Sequence, residues 1–103
     1  RMKKVLFKKF AVAMAEKFGL TLDEMFAVNR EHDVVQARWM LYYLCVERKI
    51  SVPYIKRCLA EQGYKASAST ITYGYKKASQ LVATDYDYKQ LTTEHLIENV
   101  MVD

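Results

Sequence analysis

At 103 residues, 51% of them hydrophobic and 13% aromatic, the chain has the size and apolar content of one domain around one core, which excludes a segment disordered by composition. No apolar run approaches the roughly 18 residues that a membrane span needs, and the start, Arg1-Met2-Lys3-Lys4, has neither the apolar region nor the cleavage site of a secretory leader. The net charge of +4 is uneven: residues 1–84 hold 15 basic and 7 acidic side chains, net +8, whereas residues 85–103 set Lys89 against Asp85, Asp87, Glu94, Glu98 and Asp103, net −4, so a basic body suited to a polyanion carries an acidic end.

Three glycines and one proline leave few breaks, which predicts an all-α fold of about six helices. The first runs from Lys3 to Phe18, with Leu6, Phe10, Met14 and Phe18 at four-residue steps and Gly19 placed to end it. Thr21-Leu22-Asp23-Glu24 has the form of a capping box and opens a short second helix that ends near Ala27. Asp33 and Gln36 offer a similar cap for a third helix running to about Arg48. Its Val34, Ala37, Leu41, Leu44 and Cys45 share one face, so it is expected at the centre of the core. Ser51, followed by Pro53 in the first turn, starts a fourth helix that continues to about Glu61. Gln62-Gly63-Tyr64-Lys65-Ala66 reads as a turn, and Ser67 or Ser69 caps a fifth helix to about Val82. Thr84 to Lys89 reads as a polar linker, and Thr92-Thr93-Glu94 as the start of a short sixth helix whose Leu96, Ile97, Val100 and Met101 pack on the core or on a second copy. The expected organisation is a body of residues 1–84 and an acidic linker and helix, residues 85–103, packed on that same body.

Cys45 and Cys58 lie inside helical patterns without a further cysteine or histidine at ligand spacing, so buried thiols are expected and no metal or other cofactor. His32 and His95 have no serine, cysteine or carboxylate at triad spacing, and no phosphate-binding glycine loop is present, so the chain is expected not to be an enzyme. His95 reads as an ordinary first-turn helix residue.

The fourth and fifth helices with their turn have the order of a helix-turn-helix. In that motif the N-terminal residues of the second helix face base edges; here these are Ser67, Ala68, Ser69 and Thr70, with Lys65 before them and Tyr73 one turn later. Lys56 and Arg57 on the fourth helix and Lys76 and Lys77 on the fifth flank the turn as candidate phosphate contacts, while Lys3, Lys4, Lys8 and Lys9 read as a solvated face of the first helix.

Upstream, Arg30, Val34, Val35 and Arg38, followed by a helix carrying Tyr43-Leu44, follow a pattern of arginine, three residues, two apolar residues, two more residues and a second arginine. Together with Ser51-Val52-Pro53-Tyr54-Ile55 and Ser69-Thr70-Ile71, this pattern resembles the C-terminal, Trp-repressor-like DNA-binding domain of the bacterial replication initiator DnaA, over about residues 12 to 82. The resemblance implies that the loop arginine, Arg30, enters the minor groove, that Arg38 contacts phosphate, and that Lys76-Lys77 stands where the family has Arg-Lys. It also implies double-stranded DNA as partner, in replication initiation or transcriptional control, with a replication or transcription protein as a further partner. The family's Asp-His-Thr-Thr is replaced by Ser67-Ala68-Ser69-Thr70, the preceding segment is about one helical turn longer, and Trp39 stands for a glutamine. A target different from the DnaA box is therefore expected. Arg1 reads as an addition ahead of a natural start at Met2, hence a stand-alone cytoplasmic protein of a phage or mobile element, monomeric or weakly dimeric. The rival expectation is a helical protein-interaction adaptor that keeps the fold without the DNA surface.

Overall fold

The computed structural model describes residues 2–102, with side chains described as far as Leu96. Among them are six helices and no strand: α1 (Met2–Lys17), α2 (Leu22–Met25), α3 (His32–Glu47), α4 (Val52–Glu61), α5 (Ala68–Thr84) and α6 (Tyr86–Val102). The all-α expectation holds.

Local chemistry sets most helix ends. Thr21 caps α2, its hydroxyl accepting from Glu24 N at 3.1 Å while Glu24 Oε1 accepts from Thr21 N at 2.8 Å, a complete capping box. Ser51 and Ser67 cap α4 and α5 in the same way, each accepting from the backbone N–H three residues on. At the other end, α1, α3 and α4 each close through a residue in the left-handed region: Gly19 (φ 69), Lys49 (φ 67) and Gly63 (φ 83). Behind each, the following N–H donates back into the last turn: Leu20 N to Ala15 O, Ile50 N to Cys45 O and Tyr64 N to Leu59 O. This closure returns an apolar side chain toward the core after each helix, and Ile50 is buried accordingly.

Helix α3 has nine buried residues out of 16, spread around its circumference. That distribution requires neighbours on every side, and α1, α2, α4, α5 and α6 all pack against it. Phe7, Phe10 and Met14 of α1, Met25 and Phe26 of the α2 region, Met40, Leu41 and Leu44 of α3, and Ile55, Leu59 and Ile71 of α4 and α5 form one core. The most extensive pairing is α3 with α5, and Gly74 permits a close approach within it: a Cβ there would lie 2.6 Å from Trp39 Cδ1 and 2.8 Å from Tyr42 Cδ2. Cys45 and Cys58 are free and buried, and burial pushes both thiols up from their ordinary range, which keeps them protonated at neutral pH.

Three local expectations are corrected. Asp33 is not the cap of α3: it lies one residue inside the helix, and Glu31 holds the cap position without a side-chain bond. The loop supplies its own closure, Asn29 Oδ1 accepting from Glu31 N at 2.7 Å. The linker expected over Thr84–Lys89 is helical except at Asp85, whose N–H still donates to Leu81 O at 2.8 Å. Thr92 and His95 accordingly lie inside α6, not at its start; Thr92 is buried and its hydroxyl donates to Tyr88 O and Lys89 O, both at 3.0 Å. Helix α6 packs on α5 and α3, through Tyr88, Leu91 and Leu96. The side chains of Ile97, Val100 and Met101, expected to complete that contact, lie outside the described residues.

Candidate nucleic-acid interface

A groove of about 420 Å³ opens between the loop before α3, the first two turns of α3 and the N-terminus of α5, and its lining includes Arg30, Trp39, Lys65, Ser67, Thr70 and Tyr73. Residues up to 43 positions apart in the sequence thus meet on one surface, because α3 and α5 cross closely at Gly74. An adjoining depression adds Lys56 beside Lys65 and Ser67.

Arg38 builds one end of this groove. It was expected at the surface, against phosphate; instead it is 6% exposed, and its guanidinium is committed to the protein. Nη1 donates to Met25 O at 2.7 Å and to Ala27 O at 3.3 Å, and Nη2 donates to Asn29 O at 2.7 Å. The plane also lies 4.6 Å from the centre of the Tyr64 ring. The fork geometry of arginine suits this task, since one planar group can satisfy several carbonyls of an irregular loop at once. Asn29 is held by its carbonyl and Glu31 by its amide, so Arg30 between them sits on fixed backbone with an exposed side chain. No carboxylate among the described residues pairs with Arg38; its partners are backbone carbonyls and the Tyr64 ring, so the group keeps its formal positive charge at the end of the groove.

The other wall belongs to α5. Ser67 Oγ accepts from Thr70 N at 3.1 Å and lies 2.9 Å from Thr70 Oγ1, which places both hydroxyls at the positive end of a 17-residue helix. Tyr73 is 56% exposed; Trp39 meets its ring nearly edge-on, at 6.1 Å and 75°, and the Lys77 ammonium lies 5.6 Å from the ring centre. Ser69 and Lys76 are exposed on α5 but do not line the groove. Arg57 turns away, its guanidinium 5.0 Å from the Tyr54 ring, which it shares with Lys3 at 5.8 Å. Lys4 is paired with Glu61 at 3.1 Å.

Beneath the groove, burial raises the Tyr42 hydroxyl well above its ordinary range, Tyr64 adding to the effect and the Arg38 charge opposing it. Tyr64 and Gly74 carry no signal in a motif reading; the clue to Tyr64 is its place directly after the left-handed Gly63, where an apolar residue turns inward. Among the described residues, no group of three or more His, Cys, Asp or Glu could hold a metal ion, and no helix is long and apolar enough to cross a membrane. No protein-family model and no curated protein matches this sequence.

Proposed function

We propose that this protein binds double-stranded DNA without catalysing a reaction on it, and acts in replication initiation or transcriptional control at a sequence other than the DnaA box. The observation that carries this reading is the convergence of Arg30, Lys65, Ser67, Thr70 and Tyr73 in one groove, with Lys56 at its edge. In it, α4 and α5 act as a helix-turn-helix, the exposed N-terminal turn of α5 facing base edges. Lys56, Lys65, Lys76 and Lys77 neutralise phosphates, and Arg30, whose guanidinium is planar and weakly hydrated, reaches a narrow minor groove. Arg38 acts through the loop that presents Arg30 and not on phosphate. The resemblance to the DnaA C-terminal domain and the net +8 of residues 1–84 support the same reading.

Duplex binding measured across a salt series tests it. Neutralising about 4–6 phosphates gives a log–log slope near −4 to −5, and the double variant Lys56→Gln/Lys65→Gln should make it shallower by about 2. A slope near zero, or no retention of any duplex at low salt, overturns the reading and leaves the protein-interaction adaptor.

A further inference from the structure

The groove has walls that a paired base cannot use. Bases inside a duplex offer only their edges, because their faces are covered by stacking neighbours. Tyr43 and Tyr75, on the neighbouring stretch of the same two helices, cover each other in a stacked pair at 5.5 Å and 17°. Trp39 and Tyr73 do the opposite: they meet nearly edge-on, and although the Lys77 ammonium lies over the Tyr73 ring, Tyr73 keeps 56% of its surface open. Trp39 is wedged at the α3–α5 crossing, so the ring it props is held in place before any ligand arrives. Lining the same groove are Lys65, Arg30 and the carbonyl-bonded guanidinium of Arg38, and the two hydroxyls at the start of α5. Flat aromatic surface beside cations and one free hydroxyl donor fits a ligand with a planar heterocycle at one end and an anion at the other. The volume of about 420 Å³ falls within the range of roughly 300–1,000 Å³ for small-ligand sites.

We propose that the groove accepts one unpaired nucleotide of DNA, its base against the Trp39–Tyr73 wall and its phosphate at Lys65 and the N-terminus of α5. The assignment rests on the reading of the groove as a nucleic-acid interface, and extends it from paired DNA to a site where one nucleotide has left the stack. Base–aromatic stacking tolerates any base, since every base has a π-face. Selectivity here is for the unpaired state more than for base identity.

Trp39 is the only tryptophan and so reports on the groove by its fluorescence. The test titrates the protein with three probes at one salt concentration: a fully paired DNA hairpin, the same hairpin with a single unpaired adenosine, and adenosine monophosphate. The hairpin with the unpaired base should bind about tenfold more tightly than the paired one, within the contribution of one stacked base, and should quench Trp39. Tyr73→Leu, at an exposed position, should bring the two hairpins to the same affinity. Equal affinity of the wild type for both hairpins overturns this proposal while leaving duplex binding intact. Binding of neither hairpin overturns both proposals. Saturable quenching by the monophosphate, without preference between the hairpins, makes the groove a free-nucleotide site and overturns its assignment to DNA.

Discussion

Gln36 and Arg38 are both buried polar residues on the first two turns of α3, and they fasten different elements to it. Gln36 accepts one neutral hydrogen bond, from the Tyr88 hydroxyl, and so ties α6 to α3. Beside it on the same helix lie the Phe18–Tyr88 ring contact, the apolar packing of Leu91 and Leu96, and an exposed Lys17–Glu94 pair at 3.7 Å, the kind of ion pair that adds little. Arg38 makes three charge-assisted bonds and one ring contact, and joins the loop before α3 to the turn before α5. The seam holds a regular helix, and the apolar packing of Leu91 and Leu96 adds to its Gln36–Tyr88 bond. The groove needs an irregular loop held in one shape, and a charge shared among carbonyls does this while staying positive.

Breaking the stronger anchor should have the largest effect. Arg38→Met is expected to cost about 2–4 kcal/mol in denaturant unfolding, because bonds to a charged donor are lost and loop carbonyls are left unpaired. DNA affinity should fall on every sequence alike. Arg38→Lys should recover little, since an ammonium cannot span the same carbonyls; recovery of the wild-type midpoint by lysine would show that charge alone matters. Next comes the crossing that gives both regions their frame. Gly74→Ala gains up to about 1 kcal/mol of helix propensity but places its Cβ 2.6 Å from Trp39, and overpacking of about 1–3 kcal/mol should win. A variant more stable than wild type would mean that Trp39 can move aside.

Tyr88→Phe sharpens the comparison from the weaker side. Removing the hydroxyl leaves Gln36 without its partner, so a loss of about 1 kcal/mol is expected, with DNA affinity unchanged. A loss of affinity as large as that of Arg38→Met would show that the two sides are coupled through α3. The gentlest perturbation is alkaline pH. Burial raises the Cys45 thiol in the folded state above its ordinary 9.0, and the Tyr42 hydroxyl above its ordinary 10.0. The folded state therefore keeps protons that the unfolded chain releases. Stability should be level below about pH 9 and then fall, at up to about 1.4 kcal/mol per pH unit for the thiol alone. Cys45→Ala, measured by unfolding at each pH, should be less stable throughout and should fall less steeply than wild type above about pH 9, where the raised Cys58 thiol still contributes.

What could be read from the sequence was local. Thr21 with Glu24, Ser51 with Pro53, and the two closing glycines, Gly19 and Gly63, act within one turn of themselves, so their spacing is their mechanism. Lys49 gave no such sign, because the chain adopts there a conformation that glycine would reach more easily. Asp33 and Thr92 carry cap chemistry and are not caps: Asn29 settles the first helix start from outside it, and burial of Thr92 against the core overrides the second. Of the candidate site, Arg30, Lys65, Ser67, Thr70 and Tyr73 were legible as types at positions, and their meeting in one groove depends on Gly74. Arg38 was legible as important and misplaced in role, since its partners Met25, Ala27, Asn29 and Tyr64 are set by the tertiary fold and not by helical spacing.

The central place of α3 also bears on the order in which the chain can fold as it is synthesised. Helices α1 and α2 emerge first, with Phe7, Phe10 and Met14 still lacking the surface that will cover them. When α3 follows, it brings that surface but exposes another, because the side that receives Gly74, Ile71 and Ala78 stays bare until α5 is complete. A nascent chain ending between α3 and α5 therefore presents the apolar surface that draws chaperones and promotes aggregation. Only when α5 has left the ribosome does the domain have a reason to close.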